Sequence, residues 1–280
     1  MEGIYVVIPV HNRKDFTRAC LRSLERQTVK GHHVIIVDDG STDGTADMIA
    51  QEFPAVTVIR GSGTLFWTAA INLGITHALA QGAEFVLTLN NDTVASENLM
   101  ERLIFWSSLA SDSLLGALDV DIATGNPYYG GELTDWKLNR PRFLLDLLKK
   151  EDQKGLHEVS LYPGRGLLIP RVVFETIGLF EERKLPHYLA DYDFTQRARR
   201  FGFKVFCNYD AILYTYPEEG GDHKLRHRKN LKNYFLHLFG IKGGGNLRNF
   251  TVYTLRNCPR EYVPCSLLSG YLRRILGYWL

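Results

Sequence analysis

The sequence predicts an α/β fold, a mostly parallel and doubly wound sheet followed by a basic helical extension at the C-terminal end. Three observations predict it. Strand-type and helix-type segments alternate four times within about the first hundred residues, as crossover connections between parallel strands require. The strand segments are continuous apolar runs, such as Val34-Ile35-Ile36-Val37, so both faces are expected to be buried. Charge is lopsided: the net charge is +2, yet residues 223–280 carry eleven Lys/Arg and one acid, Glu261, leaving −8 on residues 1–222.

The first expected strand is Ile4-Tyr5-Val6-Val7-Ile8, ending at Pro9-Val10-His11-Asn12-Arg13. Phe16, Ala19, Cys20 and Leu24 follow at helical spacing. The second strand, Val34 to Val37, stops at two adjacent carboxylates, Asp38 and Asp39, and a Gly/Ser/Thr turn leads into a helix from Thr45. Val56 to Ile59 is a short third strand, running into Arg60-Gly61-Ser62-Gly63 and then a helix from about Phe66 to Gln81. Glu84 to Leu89 is the fourth, ending at Asn90-Asn91-Asp92, and Ser96 is expected to cap the helix carrying Leu99, Leu103, Ile104 and Trp106.

Beyond residue 122 the pattern loosens. Ala123 to Gly131 is turn-rich and aromatic, as in a hairpin or irregular loop. A short helix is expected over Arg142 to Lys150, and a strand over Gly164 to Pro170 with a helix ending at Gly178. Asp191 to Arg200 reads as a helix closed by Gly202, and Phe203 to Cys207 and Ala211 to Thr215 as two strands. The last fifteen residues place Leu267, Leu268, Tyr271, Leu272, Ile275 and Leu276 on one helical stripe with Arg273 and Arg274 off it. The expected division is 1–222 as the main domain, with 1–100 and 101–222 as its halves, and 223–280 as the basic tail.

The chain of 280 residues, 45% apolar and 23% charged, is ordinary for a globular protein. Met1-Glu2-Gly3 lacks the basic start and apolar core of a signal peptide, and no apolar run is long enough to span a bilayer. Cys20, Cys207, Cys258 and Cys265 are scattered without a CxxC pair. This speaks against a zinc site or disulfide framework and suits a reducing cytoplasm.

Carboxylates follow a strand or open a helix at Asp38/Asp39, at Asp92 and at Asp191/Asp193. Open α/β sheets bind ligands where parallel strands end. Carboxylates gathered there repel one another unless a cation compensates, and a hard divalent ion with ligand phosphates would do so. Gly61 and Gly63 add a loop that a phosphate can approach closely. The plainer reading of Asp38, Asp39 and Ser41 is that they cap the following helix.

Val7-Ile8-Pro9-Val10-His11-Asn12-Arg13, Ile36 to Thr45, Leu89-Asn90-Asn91-Asp92 and Asp191-Tyr192-Asp193, in this order, closely resemble family 2 glycosyltransferases of the GT-A fold, a Rossmann-like architecture. The resemblance covers about residues 4 to 216. With Asn90 in place of the first Asp of the Asp-x-Asp motif, the chain resembles the bacterial rhamnosyltransferase-like subgroup. The resemblance implies that Asp191 is the general base of an inverting transfer. It implies donor contacts from Pro9, Val10, Asn12, Arg13, Asp38, Asp39, Asn72 and Asn91, with Asp39 accepting from an imide N–H of uracil or thymine; by their positions, the Gly61 and Gly63 loop, Trp67 beside it, and Arg165, toward the diphosphate or the acceptor, are further candidate donor contacts. Mg²⁺ or Mn²⁺ would bind at Asp92, with Asn90 and His223 as further candidate ligands. His187 and Tyr188, just before the base, fall on the acceptor side, and Asp193, pointing away from Asp191 on its helix, takes a structural or acceptor-side role. Ile71 stands where the family often has Arg, and Ala190 where an acid commonly precedes the base.

The expected function is transfer of a sugar from a UDP- or dTDP-sugar to a hydroxyl of a polysaccharide or lipid-linked glycan. The alternatives are a catalytically silent nucleotide-sugar-binding module and a sugar-nucleotide nucleotidyltransferase; the second lacks its Gly-rich basic signature after the first strand. Asp191 as a plain helix cap, Trp67 as a core residue and Arg165 as a surface residue are the plain counterparts of those roles. The tail either packs on the body or attaches peripherally to an anionic membrane surface on the inner face of the cell membrane. Nucleic acid is not expected as a partner, since no recognised nucleic-acid module accompanies the charge.

Overall fold

A computed structural model describes residues 3–137, 140–219 and 229–279. Strands β1 (Ile4–Val10), β2 (His33–Asp38), β3 (Thr57–Arg60) and β4 (Phe85–Thr88) pair in parallel in the order β3-β2-β1-β4. The unbroken apolar runs have the predicted cause. In β1, Val6, Ile8 and Val10 pack on one side of the sheet with Cys20, Leu21 and Leu24 of α1 (Lys14–Glu25), Met48 and Ile49 of α2 (Thr45–Glu52), and Leu99 and Leu103 of α4 (Leu99–Leu109). Tyr5 and Val7 pack on the other side with Ala70, Ile71 and Ile75 of α3 (Phe66–Ala80). Neighbouring residues of a strand point to opposite faces, so a strand covered on both sides is apolar throughout. Gly74 sets the approach of α3, since a Cβ there would overlap the Val7 side chain.

Beyond β4 the sheet becomes mixed. β11 (Leu167–Pro170) is antiparallel to both β4 and β6 (Leu114–Asp121), and β12 (Val205–Thr215) is parallel to β6. β10 (Leu156–Glu158) closes that edge; β5 (Thr93–Ala95) pairs with β12 and β7 (Pro127–Tyr129) with β6. A separate hairpin joins β8 (Glu132–Asp135) to β9 (Arg140–Phe143). The remaining helices are α5 (Leu144–Leu147), α6 (Arg171–Ile177), α7 (Ala190–Arg200), α8 (Leu231–Phe239), α9 (Leu247–Asn257) and α10 (Val263–Gly277).

Three local expectations change. The two strands expected over Phe203 to Thr215 are one, bent where its register against β6 shifts between Asn208 and Ile212. Arg142 belongs to β9, and the helix after it shrinks to one turn. The residue before α4 is Asn98, without a side-chain cap bond; Ser96 Oγ instead bonds the Asn98 side chain. Of the apolar stripe of the last helix, Leu267 and Tyr271 are half-buried and the rest points outward. Ser266 and Gly270 are buried, while Leu268, Leu272, Ile275 and Leu276 are exposed.

The C-terminal helices are fastened by a buried carboxylate. Asp193 in α7 accepts from Arg256 Nε at 2.7 Å, Arg256 Nη2 at 3.0 Å and Asn257 Nδ2 at 2.8 Å. Asn230 and Asn246 cap α8 and α9 by accepting from the backbone three residues on.

Candidate active site

The C-terminal ends of β1, β2 and β4 open on a cavity of about 980 Å³. At its β2 end, Asp39 is 6% exposed and its carboxylate is a hub for the loop after β3. One oxygen accepts from Gly63 N at 2.7 Å, the other from Leu65 N at 2.9 Å and Phe66 N at 3.2 Å. Gly61 is required here, because a Cβ would lie 2.7 Å from that carboxylate. Asp38 turns away and accepts from Ser41 N at 2.9 Å, closing the loop after β2; it does not cap α2, whose N-cap is Gly44. Asn12 and Arg13 adopt left-handed φ of 60° and 66°, unusual for residues with a Cβ. Asn12 N donates to Ser41 Oγ and Asn12 Oδ1 accepts from Thr42 N, binding this turn to the β2 loop.

The turn aims Arg13 across the cavity. Its Nη1 donates to Asp92 Oδ2 at 2.5 Å, and its Nη2 to the carbonyl of Glu219 at 2.6 Å and its carboxylate at 3.0 Å. Trp67 Nε1 donates to Asn90 Oδ1 at 2.9 Å, and Asn91 Nδ2 to Thr17 Oγ1 at 3.0 Å. The amide oxygen of Asn90 thus holds the Trp67 indole, while Asn90 also lines the cavity beside Asp92. Trp67 lines the cavity and also packs edge-on against Phe180 of the core. Among the described residues no three His, Cys, Asp or Glu are grouped to hold an ion. One carboxylate, Asp92, fits a Mg²⁺ or Mn²⁺ that takes its other ligands from a diphosphate and water; it does not make a preformed protein cage.

At the opposite end, Asp191 lies in the first turn of α7. Gly164 N donates to its Oδ2 at 3.0 Å and Tyr192 N to its Oδ1 at 2.9 Å. A Cβ at Gly164 would overlap the Trp67 ring, so the glycine lets the backbone donor and the indole share this wall. Burial pushes the Asp191 carboxyl up, while these bonds and the Arg165 charge oppose the rise. Arg165 faces the same cavity and donates from Nε to Asp119 Oδ2 at 2.6 Å. Asp119 in β6 is fully buried, with its other oxygen unpartnered; burial pushes it up to about 6 against the pull of Arg165. His187 Nδ1 accepts from Trp67 N at 3.4 Å, and burial together with Lys242 pushes its ring down to about 4.

The cavity brings together Pro9, Val10, Arg13, Asp39, Gly63, Trp67, Asn90, Asn91, Asp92, Arg165, His187, Tyr188 and Asp191. Asn12, Asp38 and Gly61 shape its loops without lining it. Asn72, expected as a donor contact, is occupied elsewhere: its side chain bonds both the N–H and the carbonyl of Phe180 and the carboxylate of Glu182. Asp193, expected in a structural or acceptor-side role, has the structural one, fully buried under Arg256 and Asn257. His223 lies outside the described residues. Sequence reasoning missed His11, Phe66, Tyr128, Glu219 and Lys242 at the cavity. His11 and Phe66 adjoin residues already singled out, whereas Tyr128, Glu219 and Lys242 arrive from distant segments that no local pattern connects.

A family model described as Glycosyl transferase family 2 matches residues 5–178. An uncharacterized glycosyltransferase of Rickettsia typhi is 30% identical over 221 residues, covering 75% of this chain and 62% of its own length. The poly(ribitol-phosphate) beta-glucosyltransferase of Bacillus spizizenii is 32% identical over 127 residues, 41% of this chain and 19% of its own length. The crystal structure of S. aureus TarS 1–349 in complex with UDP-GlcNAc shares the fold, with a TM-score of 0.60 at 14% identity over 100% of this chain and 92% of that one. This chain spans about three fifths of the length of the curated relatives that match most of it.

Proposed function

Because this chain belongs to glycosyl transferase family 2 and has the mixed α/β architecture of its GT-A fold, we propose that it is an inverting transferase that moves a sugar from a UDP- or dTDP-sugar to a hydroxyl of a polysaccharide or lipid-linked envelope glycan. The observation that carries this reading is one cavity lined by Asp39, Asp92 and Asp191 at the ends of different elements. The UDP-GlcNAc complex of TarS and the glucosyltransferase name of the Bacillus relative support the donor class and the envelope setting.

The nucleobase sits at the Asp39 loop, its imide N–H directed to the carboxylate that already organises Gly63 to Phe66. The sugar lies between Asp92 and Asp191. Asp191 accepts the proton of the acceptor hydroxyl as its oxygen bonds the anomeric carbon and the bond from that carbon to the diphosphate oxygen breaks. The Gly164 and Tyr192 N–H groups fix the orientation of the base. Arg165 keeps guanidinium donors beyond Nε for the diphosphate or the acceptor. A divalent ion, when bound, supplies positive charge to the departing diphosphate, and Asp92 is the residue that would hold it.

Asp191→Asn tests this directly. It should lower transfer by about 10²–10⁴-fold, the usual worth of a general base, and leave the thermal shift produced by UDP unchanged. Transfer at the wild-type rate would remove Asp191 from the role, and donor binding without transfer to any acceptor in the wild type would leave a silent binding module. For the tail, α10 packs on the body through its small residues, and its exposed apolar residues support peripheral attachment of the outward side to an anionic membrane.

A further inference from the structure

A second cavity, of about 430 Å³, lies between the β8–β9 hairpin and the C-terminal helices. The N-terminus of α7 is the wall between the two cavities. Tyr188 and Asp191 face the first, Leu189 and Tyr192 the second.

The walls of the second cavity carry charged groups. On the hairpin side stand Glu132, 8% exposed and pushed toward its neutral form by burial, and the cross-strand residues Asp135 and Arg140. On the helix side stand Arg273 and Arg274. The Arg274 guanidinium lies 3.6 Å over the Phe250 ring, and its buried Nε has no acceptor among the described residues. Its Nη1 reaches only the Gly270 carbonyl, at 3.3 Å. Burial and the neighbouring Arg273 push Arg274 down to about 10. Aromatic side chains also line the cavity: Trp136 and Tyr253, 5.8 Å apart and tilted, and Phe250.

Glu132 and the arginine pair line one cavity, so a ligand with hydroxyls for the one and acceptor oxygens for the other matches both. Aromatic faces suit the C–H surface of a sugar ring, and an arginine pair suits a phosphate. We propose that this cavity binds a sugar phosphate unit, with hydroxyls on Glu132, the ring against the aromatic wall and the phosphate on Arg273 and Arg274. Taken with the proposed transferase reading, on which this last step rests, that unit is the part of an anionic glycan acceptor lying beyond the hydroxyl at Asp191.

Calorimetry on the full chain tests it, with glucose 1-phosphate, glucose and inorganic phosphate as probes, in the presence and absence of saturating UDP. Glucose 1-phosphate should bind at least tenfold more tightly than glucose or inorganic phosphate, with UDP present as well as without it. Arg273→Gln, on an exposed side chain, should weaken that binding at least tenfold while leaving the melting temperature unchanged, and Arg274→Lys should weaken it through loss of the planar fork. No binding of glucose 1-phosphate, equal binding of inorganic phosphate, displacement by UDP, or indifference to Arg273→Gln would each overturn the proposal. Failure of UDP itself to bind would instead count against the transferase reading, and the nucleotide-free titration would still decide the second cavity.

Discussion

Two carboxylates near the α7 N-terminus show how little separates a useful charge from a costly one. Asp191 receives two backbone N–H groups, which offset part of its burial. Glu132 has no such donors, and burial together with the Asp191 charge pushes it up to about 7 from 4.5. The folded protein therefore holds a proton on Glu132 that the unfolded chain releases between about pH 4.5 and 7. Over that interval the native state binds more protons, so stability falls as pH rises, by about 3 kcal/mol from this group when fully ionised. Glu132→Gln removes the cost. Urea denaturation at pH 5 and pH 8 should show the variant gaining on the wild type as pH rises; a constant difference between the two would mean that Glu132 is already solvated.

At the scale of elements, the Asp193 contacts decide how the C-terminal helices sit on the body. The carboxylate is fully buried and takes three donors from one turn of α9. Asp193→Ala strips Arg256 of its bidentate partner and leaves only Glu181 at 3.2 Å. Breaking a buried pair from one side costs about 3–5 kcal/mol; Arg256 is 26% exposed, so the low end is expected. Loss of midpoint in chemical denaturation measures it, and a change below about 1 kcal/mol would show that α9 is held by packing alone.

The same scale shows what the sequence made legible. The parallel strands and their helices were readable because double-sided burial leaves unbroken apolar runs, and Asp39, Asp92 and Asp191 were readable as residues at strand ends or helix starts. β6 was not identified, although Leu114 to Leu118 is such a run, because Gly116 interrupts it. That glycine is present for a tertiary reason, as a Cβ there would collide with the Tyr162 ring. With β6 went Asp119, the buried partner of Arg165. The bend in β12 and the hairpin pairing of β8 with β9 depend on contacts between distant segments and leave no local pattern. Asn72 was placed by family position, yet its amide is used up in holding elements together, as is the carboxylate of Asp193.

For the whole molecule, the decisive feature is the outward apolar face of the C-terminal helices. α10 buries its small residues, Ser266 and Gly270, and stacks Arg274 on Phe250, while Leu268 is 64% exposed and Leu272 and Leu276 lie beside it in the open. Phe235 and Phe239 of α8 and Trp279 are likewise exposed. An apolar surface of this kind marks a contact with a membrane or another protein, and the lysines and arginines of this region favour an anionic bilayer. No helix among the described residues is long and apolar enough to cross one, so attachment would be peripheral. Truncating the tail is a poor test, because it exposes Asp193. The paired change Leu268→Glu/Leu272→Glu alters only exposed side chains and should leave the melting temperature intact. Co-sedimentation with phosphatidylserine-containing vesicles should then fall at least tenfold relative to the wild type, and the wild type should stay in the supernatant with pure phosphatidylcholine. Equal sedimentation of both proteins would remove the face from membrane binding. If the pair instead converts a dimer to a monomer in sedimentation velocity while vesicle binding stays unchanged, the face is an interface between copies and the acceptor reaches Asp191 by another route.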